Sequence, residues 1–477
     1  MLKFSYKFLD WSMKMNLFSW FSNFFKEPPA AEPMTDKEQI DKSYSHWRMR
    51  IFYSCFIGYT VFYLCKKNIA VALPGLSAEF GFTNTELGLL GSSLYLTYGI
   101  GKFVNGVLAD GSDVRKFLPT ALIMTAIANL CFALSAVFIT PGEVSFFGLP
   151  TNTILLWLFV FFWGASGWFQ SAGFPAVAKS LTYWYSNSER GTKWSLWSCS
   201  HQMGTFLSVI ISGYLVAHFG WRMAFFVPGT IAILVAIWLF NRLRDKPQSL
   251  GLPDVESYRG EVSAKEVATC EEDNRSYVEV FKENILFNKT IWLLAIAYVF
   301  VYVIRFGAED WMIKYLSEAK ANSLELASLK LSSLPLVGIA GTVCAGVISD
   351  KIFKGKRAPV NLIYLIGVVV CLVLLKFNTI STLDFVLIGL LGAFTYGPQM
   401  MIGGLCAVES SSKKVASAAT GFTGTFGYVG AVLSATGTGF MVDKFGWNGA
   451  LSFWIASAVI CIAICAILWK NETAKKC

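Results

Sequence analysis

Long apolar runs with few charges recur along this chain, at 50–73, 86–108, 117–139, 151–178, 191–217 and 222–241, and again at 289–316, 325–349, 358–377, 381–408, 414–441 and 446–469. A helix needs about 20 apolar residues to cross the hydrocarbon of a bilayer, so the pattern predicts twelve transmembrane helices and an all-α membrane protein. Gly173 with Pro175, and Gly397 with Pro398, interrupt two of the runs. Membrane helices tolerate this where neighbours satisfy the freed backbone groups. A polar stretch at 242–288, containing RLRDKPQSLGLPDVESYRGE and CEEDNR, separates the two series. The predicted organisation is an N-terminal segment 1–49, a six-helix half 50–241, a linker 242–288, and a second six-helix half with a short tail, 289–477.

Composition agrees with a lipid solvent: 55% of the 477 residues are hydrophobic and 15% charged, against about a quarter charged in soluble domains. The net charge of +9 reports topology. About 29 of the 40 Lys and Arg fall on the side that holds the N-terminus, the even-numbered loops and the C-terminus, whereas the other side receives Arg222, Lys314, Lys320, Lys376 and Lys444. By the positive-inside rule both termini are expected in the cytoplasm, and no nucleic-acid partner is needed to explain the charge. The first 25 residues mix aromatics with Lys but lack a continuous apolar core, so they read as a short interfacial helix. The eleven Cys sit mostly within spans and include no CxxC pair. Neither a disulfide framework nor a metal site is expected, and no cofactor is implied.

The chain repeats itself at about half its length. GVLAD (106–110) recurs as GVISD (346–350), each followed by basic residues, and GYLVAHFGW (213–221) recurs as GFMVDKFGW (439–447). Six spans is an even number, so the two halves enter the membrane with the same orientation. They form a parallel pseudo-repeat, with a substrate site expected between them near the midplane.

The same repeat aligns Tyr59, Tyr63 and Lys66 in the first span with Tyr298, Tyr302 and Arg305 in the seventh. The spacing i, i+4, i+7 puts each set on one helical stripe. A cation at the bilayer centre costs roughly 2.5–3.5 kcal/mol, so Lys66 and Arg305 require an explanation. One is structural pairing, since Arg305 has Glu309 at i+4 with Asp310 beside it. The other is a mobile anion held between the two cations. A phosphate suits both, because Arg offers a two-pronged donor fork and Lys a compact charge. The chain holds no GxxxxGK[ST] loop for ATP, and no paired catalytic carboxylates or activated nucleophile stand out, so an enzyme is not expected.

The segments GYTVFYLCKKN (58–68), GWFQSAGFP (167–175), SERGTKWSLWSCSH (188–201), VYVIRFGAEDW (301–311), YGPQMMIGG (396–404) and ATGFTGTFGY (419–428) closely resemble the organophosphate:phosphate antiporters of the major facilitator superfamily, from about Met34 onward. The likeness is greatest to bacterial hexose-phosphate transporters, and the start MTDKEQIDKSYSHWR and the linker RLRDKPQSLGLP are most similar to their sensor-type branch. The resemblance implies the major facilitator fold and exchange of a sugar phosphate, glucose 6-phosphate first, for inorganic phosphate. It implies a monomer in a bacterial cytoplasmic membrane, with lipid around it and no enzymatic activity. The alternative it carries is a transporter-like sensor of hexose phosphate that signals to a partner kinase.

By resemblance, Arg305 matches the family's phosphate-binding arginine, Lys66 stands where the family usually has a second arginine, and Lys67 matches an adjacent lysine. His201 matches a fifth-span histidine, and Gln170, Tyr396 and Tyr428 fall at positions that line the cavity in relatives; Tyr59, Tyr63 and Tyr302, which the repeat sets beside the cations, are further candidates for the cavity. Asp110 with Arg115, and Asp350 with Arg357, read as loop clamps that gate the cytoplasmic side. Thr420 and Thr423 replace a charged pair that some hexose-phosphate transporters carry in the eleventh span.

Overall fold

A computed structural model of the chain describes residues 23–138, 150–260, 277–353, 356–411 and 416–474, so most of the predicted interfacial helix at 1–25 lies outside it. The membrane helices are α1 Lys37–Phe80, α2 Asn84–Asp110, α3 Val114–Phe138, α4 Thr151–Trp184, α5 Asn187–Phe219, α6 Met223–Arg242, α7 Lys289–Glu318, α8 Leu324–Val347, α9 Ala358–Phe377 and α10 Ser381–Met400. A helical run Ala416–Ala474 follows, in which Gly446 adopts φ 64° and ψ −171° and turns the chain back. It therefore holds two passes, α11 (416–445) and α12 (447–474). Among the described residues ten helices are long and apolar enough to cross a membrane. Dividing the last at Gly446 and adding the more polar α2 gives twelve, an all-α, multi-pass integral membrane protein with the major facilitator architecture.

Local chemistry explains where the helices differ from the apolar runs. α1 begins at Lys37 rather than near 50, because Asp36 Oδ1 accepts a hydrogen bond from Glu38 N (3.1 Å) and caps a polar extension. Hydropathy reports the part of a helix that sits in hydrocarbon, not its continuation into water. α4 breaks at Ser171 and Ala172, just before Gly173 and Pro175. α10 gives way to a π-helical turn, Met401–Leu405, after Gly397 and Pro398. Large apolar side chains such as Leu96, Phe161, Leu234 and Ile366 are exposed on the outer helix faces, as expected for faces in contact with lipid.

The two halves meet along α1 with α7, α2 with α11, and α5 with α8. The α2–α11 seam is close enough to require glycine: a Cβ on Gly439 would lie 2.0 Å from the Asn84 carbonyl oxygen, and one on Gly88 2.4 Å from that of Ala435. Small residues at such a crossing let backbones approach within van der Waals distance. Among the described residues, the polar contacts between the halves run from the centre of the bundle to the end opposite the linker. Ser92 Oγ donates to the Val432 carbonyl (3.0 Å), and the Asn84–Thr85 end of α2 meets Asp443 at the tip of α11.

At the other end the linker is fastened to the first half. Tyr44 donates to the Pro253 carbonyl (2.5 Å) and stacks on Tyr258 at 4.0 Å. Glu27 pairs with Lys179 (2.6 Å) and Lys246 (2.7 Å), joining the segment before α1 to α4 and to the start of the linker.

Candidate functional site

The repeat-related stripes of α1 and α7 face each other at the centre. Lys66, Lys67 and Arg305 are buried, with 3%, 1% and 4% exposure. Buried charges there are costly to leave without a partner, so where each one finds compensation is informative.

Arg305 finds part of it one turn along its own helix, where Nε donates to Glu309 Oε1 at 2.7 Å. Tyr396 on α10 donates to the same oxygen at 2.6 Å. The Glu309 bond uses Nε, so the paired terminal nitrogens of the guanidinium are not hydrogen-bonded to that carboxylate. The guanidinium also lies over the rings of Phe306 (5.0 Å) and Tyr396 (5.1 Å), a favourable placement for a cation.

Lys67 crosses the interface. Its Nζ lies 2.6 Å from Glu309 Oε2 and donates to Asp310 Oδ1 at 2.7 Å and to the Tyr95 hydroxyl at 3.2 Å. Tyr95, on α2, donates to the other Asp310 oxygen. Two adjacent carboxylates on α7 are thus held by one ammonium from α1 and one guanidinium from α7. Such a buried arrangement stands because every charge has an opposite partner at hydrogen-bonding distance.

Lys66 has no such partner. Among the described residues no carboxylate lies within ion-pair distance of its Nζ, which sits over the rings of Tyr98 (4.0 Å) and Tyr63 (5.2 Å). One turn beyond Tyr98 on α2, Lys102 lies over Phe174 (4.9 Å) and Tyr428 (5.8 Å), again with no carboxylate in reach among the described residues. The cluster therefore sets three cations (Lys66, Lys67 and Arg305) against two carboxylates, Glu309 and Asp310.

The remaining predicted residues fall around this cluster in two groups. Tyr59, Tyr63 and His201 form one wall, with ring centres 5.5 Å apart for both Tyr59–Tyr63 and Tyr63–His201. Tyr302 and Tyr428 face each other at 6.0 Å on the other side, and Tyr98 closes on Tyr428 at 4.9 Å. Tyr298 donates to the Tyr302 hydroxyl (3.2 Å). Gln170 is buried on α4, with Nε2 on Ser166 Oγ (2.9 Å) and Oε1 without a hydrogen-bond partner. The single donor of Thr423 Oγ1 is within hydrogen-bonding distance of the Ala419 and Thr420 carbonyls of its own helix, both at 3.1 Å, and of Gly403 O at 3.3 Å.

Of the four gating residues, the side chains of Arg115 and Arg357 are described. The side chains of Asp110 and Asp350 lie outside the described residues. Arg115 Nε donates to the Phe240 carbonyl (2.8 Å), and Arg357 pairs with Glu409 (2.9 Å) and donates to Ser349 Oγ (2.8 Å), all contacts within one half. Sequence reasoning missed Tyr95, Tyr98 and Lys102 altogether. Their signal was present as a polar stripe at i, i+3, i+7 on α2, but no repeat partner singled it out.

The fold and the site have counterparts among known proteins. The Major Facilitator Superfamily model matches residues 55–435. A probable hexose phosphate transport protein of Chlamydia trachomatis serovar D is 41% identical over 466 residues, covering 95% of this chain and 97% of its own. The membrane sensor protein UhpC of Escherichia coli K12 is 37% identical over 430 residues, covering 89% and 93%. The hexose-6-phosphate:phosphate antiporter of Salmonella typhimurium LT2 is 31% identical over 437 residues, covering 90% and 91%. A solved bacterial homologue of the human lysosomal transporter Spinster, inward-facing and occupied, matches with TM-score 0.67 over 89% of this chain and 97% of that one, at 16% identity, a likeness of fold alone. Because the sequence likeness runs through nearly the whole length of both partners, the chain belongs to the organophosphate:phosphate antiporter family of the Major Facilitator Superfamily, membrane transport proteins rather than enzymes.

Proposed function

We propose that this protein, as a monomer, exchanges a sugar phosphate, glucose 6-phosphate first, for inorganic phosphate across a bacterial cytoplasmic membrane by rocking of its two halves. Both termini and the linker face the cytoplasm in this reading, which rests on the distribution of Lys and Arg. The observation that carries it is Lys66, a buried ammonium with no carboxylate in reach among the described residues. It leaves the cluster one positive charge in excess, which a bound phosphate would offset.

The phosphate oxygens would take the terminal nitrogens of Arg305 and the ammonium of Lys66, with Lys67 and His201 at the edge of the site. The two groups of tyrosines, with Gln170 Oε1 as a spare acceptor, would meet the sugar hydroxyls. An empty site leaves mutually repelling cations in a low-dielectric interior. A bound dianion removes that penalty, so the halves rock readily only when loaded. Such a cycle runs on the two phosphate gradients. The hexose-phosphate names of the relatives support this substrate class.

Proteoliposomes test the proposal. Uptake of labelled glucose 6-phosphate is expected to require phosphate inside the vesicles, and equal uptake into phosphate-free vesicles would defeat exchange.

One observation favours a second reading. The sensor relative is 37% identical and the antiporter relative 31%. A sensor signalling to a partner kinase would bind hexose phosphate through the same cations and turn it over poorly, so turnover number separates the two.

A further inference from the structure

At the end opposite the linker another polar contact joins the halves, and it has an unusual form. α2 starts with its own cap: Thr83 Oγ1 accepts from Glu86 N (3.2 Å), and Glu86 reaches back to Thr83 N (2.8 Å). That capping box leaves the N–H groups of Asn84 and Thr85 without a partner in their own half. Asp443, at the tip of α11 in the other half, takes both. Its Oδ1 accepts from Asn84 N (3.0 Å) and Asn84 Nδ2 (2.8 Å), and its Oδ2 accepts from Thr85 N (2.7 Å) and Thr85 Oγ1 (2.6 Å). One carboxylate thus completes the first turn of a helix in the opposite half, where the helix dipole favours negative charge.

We propose that Asp443 is a releasable lock that holds shut the end of the bundle opposite the linker. The repeat shows that the two equivalent seams of this chain differ. GYLVAHFGW aligned with GFMVDKFGW puts Ala217 where the second half has Asp443. The seam related by the pseudo-twofold, α5 against α8, has Gly213 packed on Ser328, and α8 is capped by its own Ser323 (3.3 Å to Leu326 N). One of two equivalent seams therefore carries the carboxylate.

Exposure suits release. Asp443 is at the surface, so water can take over its hydrogen bonds when the seam parts, and the net contribution of such contacts is modest. Lys67, by contrast, is buried and touches the substrate cluster. The inner contact would respond to substrate, and the outer one would set the resting preference for the closed end. Only the step of opening rests on the alternating-access reading.

The test places a cysteine behind the lock, at buried Leu87 on α2. The Leu87→Cys protein in nanodiscs, without substrate, is treated with a maleimide, and modification at position 87 alone is followed by peptide mass spectrometry. Adding Asp443→Ala is expected to raise the labelling rate about tenfold, as the loss of several weak bonds predicts, and adding Asp443→Asn to raise it less. Adding Glu86→Ala instead, which removes the capping-box acceptor within one half, is expected to leave the rate within about twofold. An unchanged rate in both Asp443 variants, or an equal rise with Glu86→Ala, would overturn the lock. Melting temperature measured alongside separates opening from unfolding. Because no turnover enters the readout, a protein that fails to exchange phosphate can still pass or fail this test.

Discussion

Lys67 on α1 and Glu309 on α7 meet across the two halves at 2.6 Å, and this pair accounts for one of the two adjacent basic residues near the centre of the first span. The other, Lys66, lies over the rings of Tyr98 and Tyr63 and has no carboxylate within ion-pair distance among the described residues. The account of function follows from that division of labour.

The first prediction concerns Lys67. Its removal leaves two buried carboxylates sharing only Arg305 and hydroxyl donors, and breaking a buried ion pair on one side costs about 3–5 kcal/mol. Lys67→Met is expected to lower the melting temperature markedly, and Lys67→Arg to restore most of it. Thermal unfolding in one detergent checks both.

Arg305 is held by Glu309 through Nε, so its loss should cost function more than fold. Arg305→Gln is expected to reduce glucose 6-phosphate uptake at least about a hundredfold. Arg305→Lys should recover little, because an ammonium cannot hold Glu309 and offer a two-pronged edge to phosphate together. Normal transport by the glutamine variant would give Arg305 a purely structural role.

The segment before α1 provides a pH test. Burial alone would raise the carboxyl pKa of Glu27, but its hydrogen bonds to Lys179 and Lys246 hold it below the ordinary 4.5. A depressed pKa means the ionised form stabilises docking. That contribution is complete above about pH 4.5 and is lost as pH falls through the lower folded value. Hydrogen exchange over residues 23–36, taken relative to the intrinsic rate at each pH, should therefore stay slow from neutral pH down to about 4.5 and quicken below it. Glu27→Gln should show the quickened exchange at pH 7.

The spans, the repeat and the buried cations were legible in the sequence because each is a one-dimensional signal: an apolar run, an offset, a charge inside the run. The i, i+4 pairing of Arg305 with Glu309 was legible for the same reason. The partner of Lys67 was not. Adjacent residues point about 100° apart on a helix, and which of Lys66 and Lys67 faces α7 is set by packing between halves that are distant in sequence. α1 starts at Lys37 because of a cap, and hydropathy carries no trace of it. The Ala217–Asp443 difference could be read in the repeat, but its meaning depends on where the start of α2 lies in space.

The central claim is that Lys66 is an uncompensated cation reserved for a phosphate dianion, and phosphate binding to purified wild-type and Lys66→Gln protein tests it most directly. Titration calorimetry with inorganic phosphate is expected to show at least about tenfold weaker binding to the variant. The unliganded variant should melt no lower than wild type, because an unpaired buried charge has been removed. Unchanged phosphate affinity in Lys66→Gln would contradict the account.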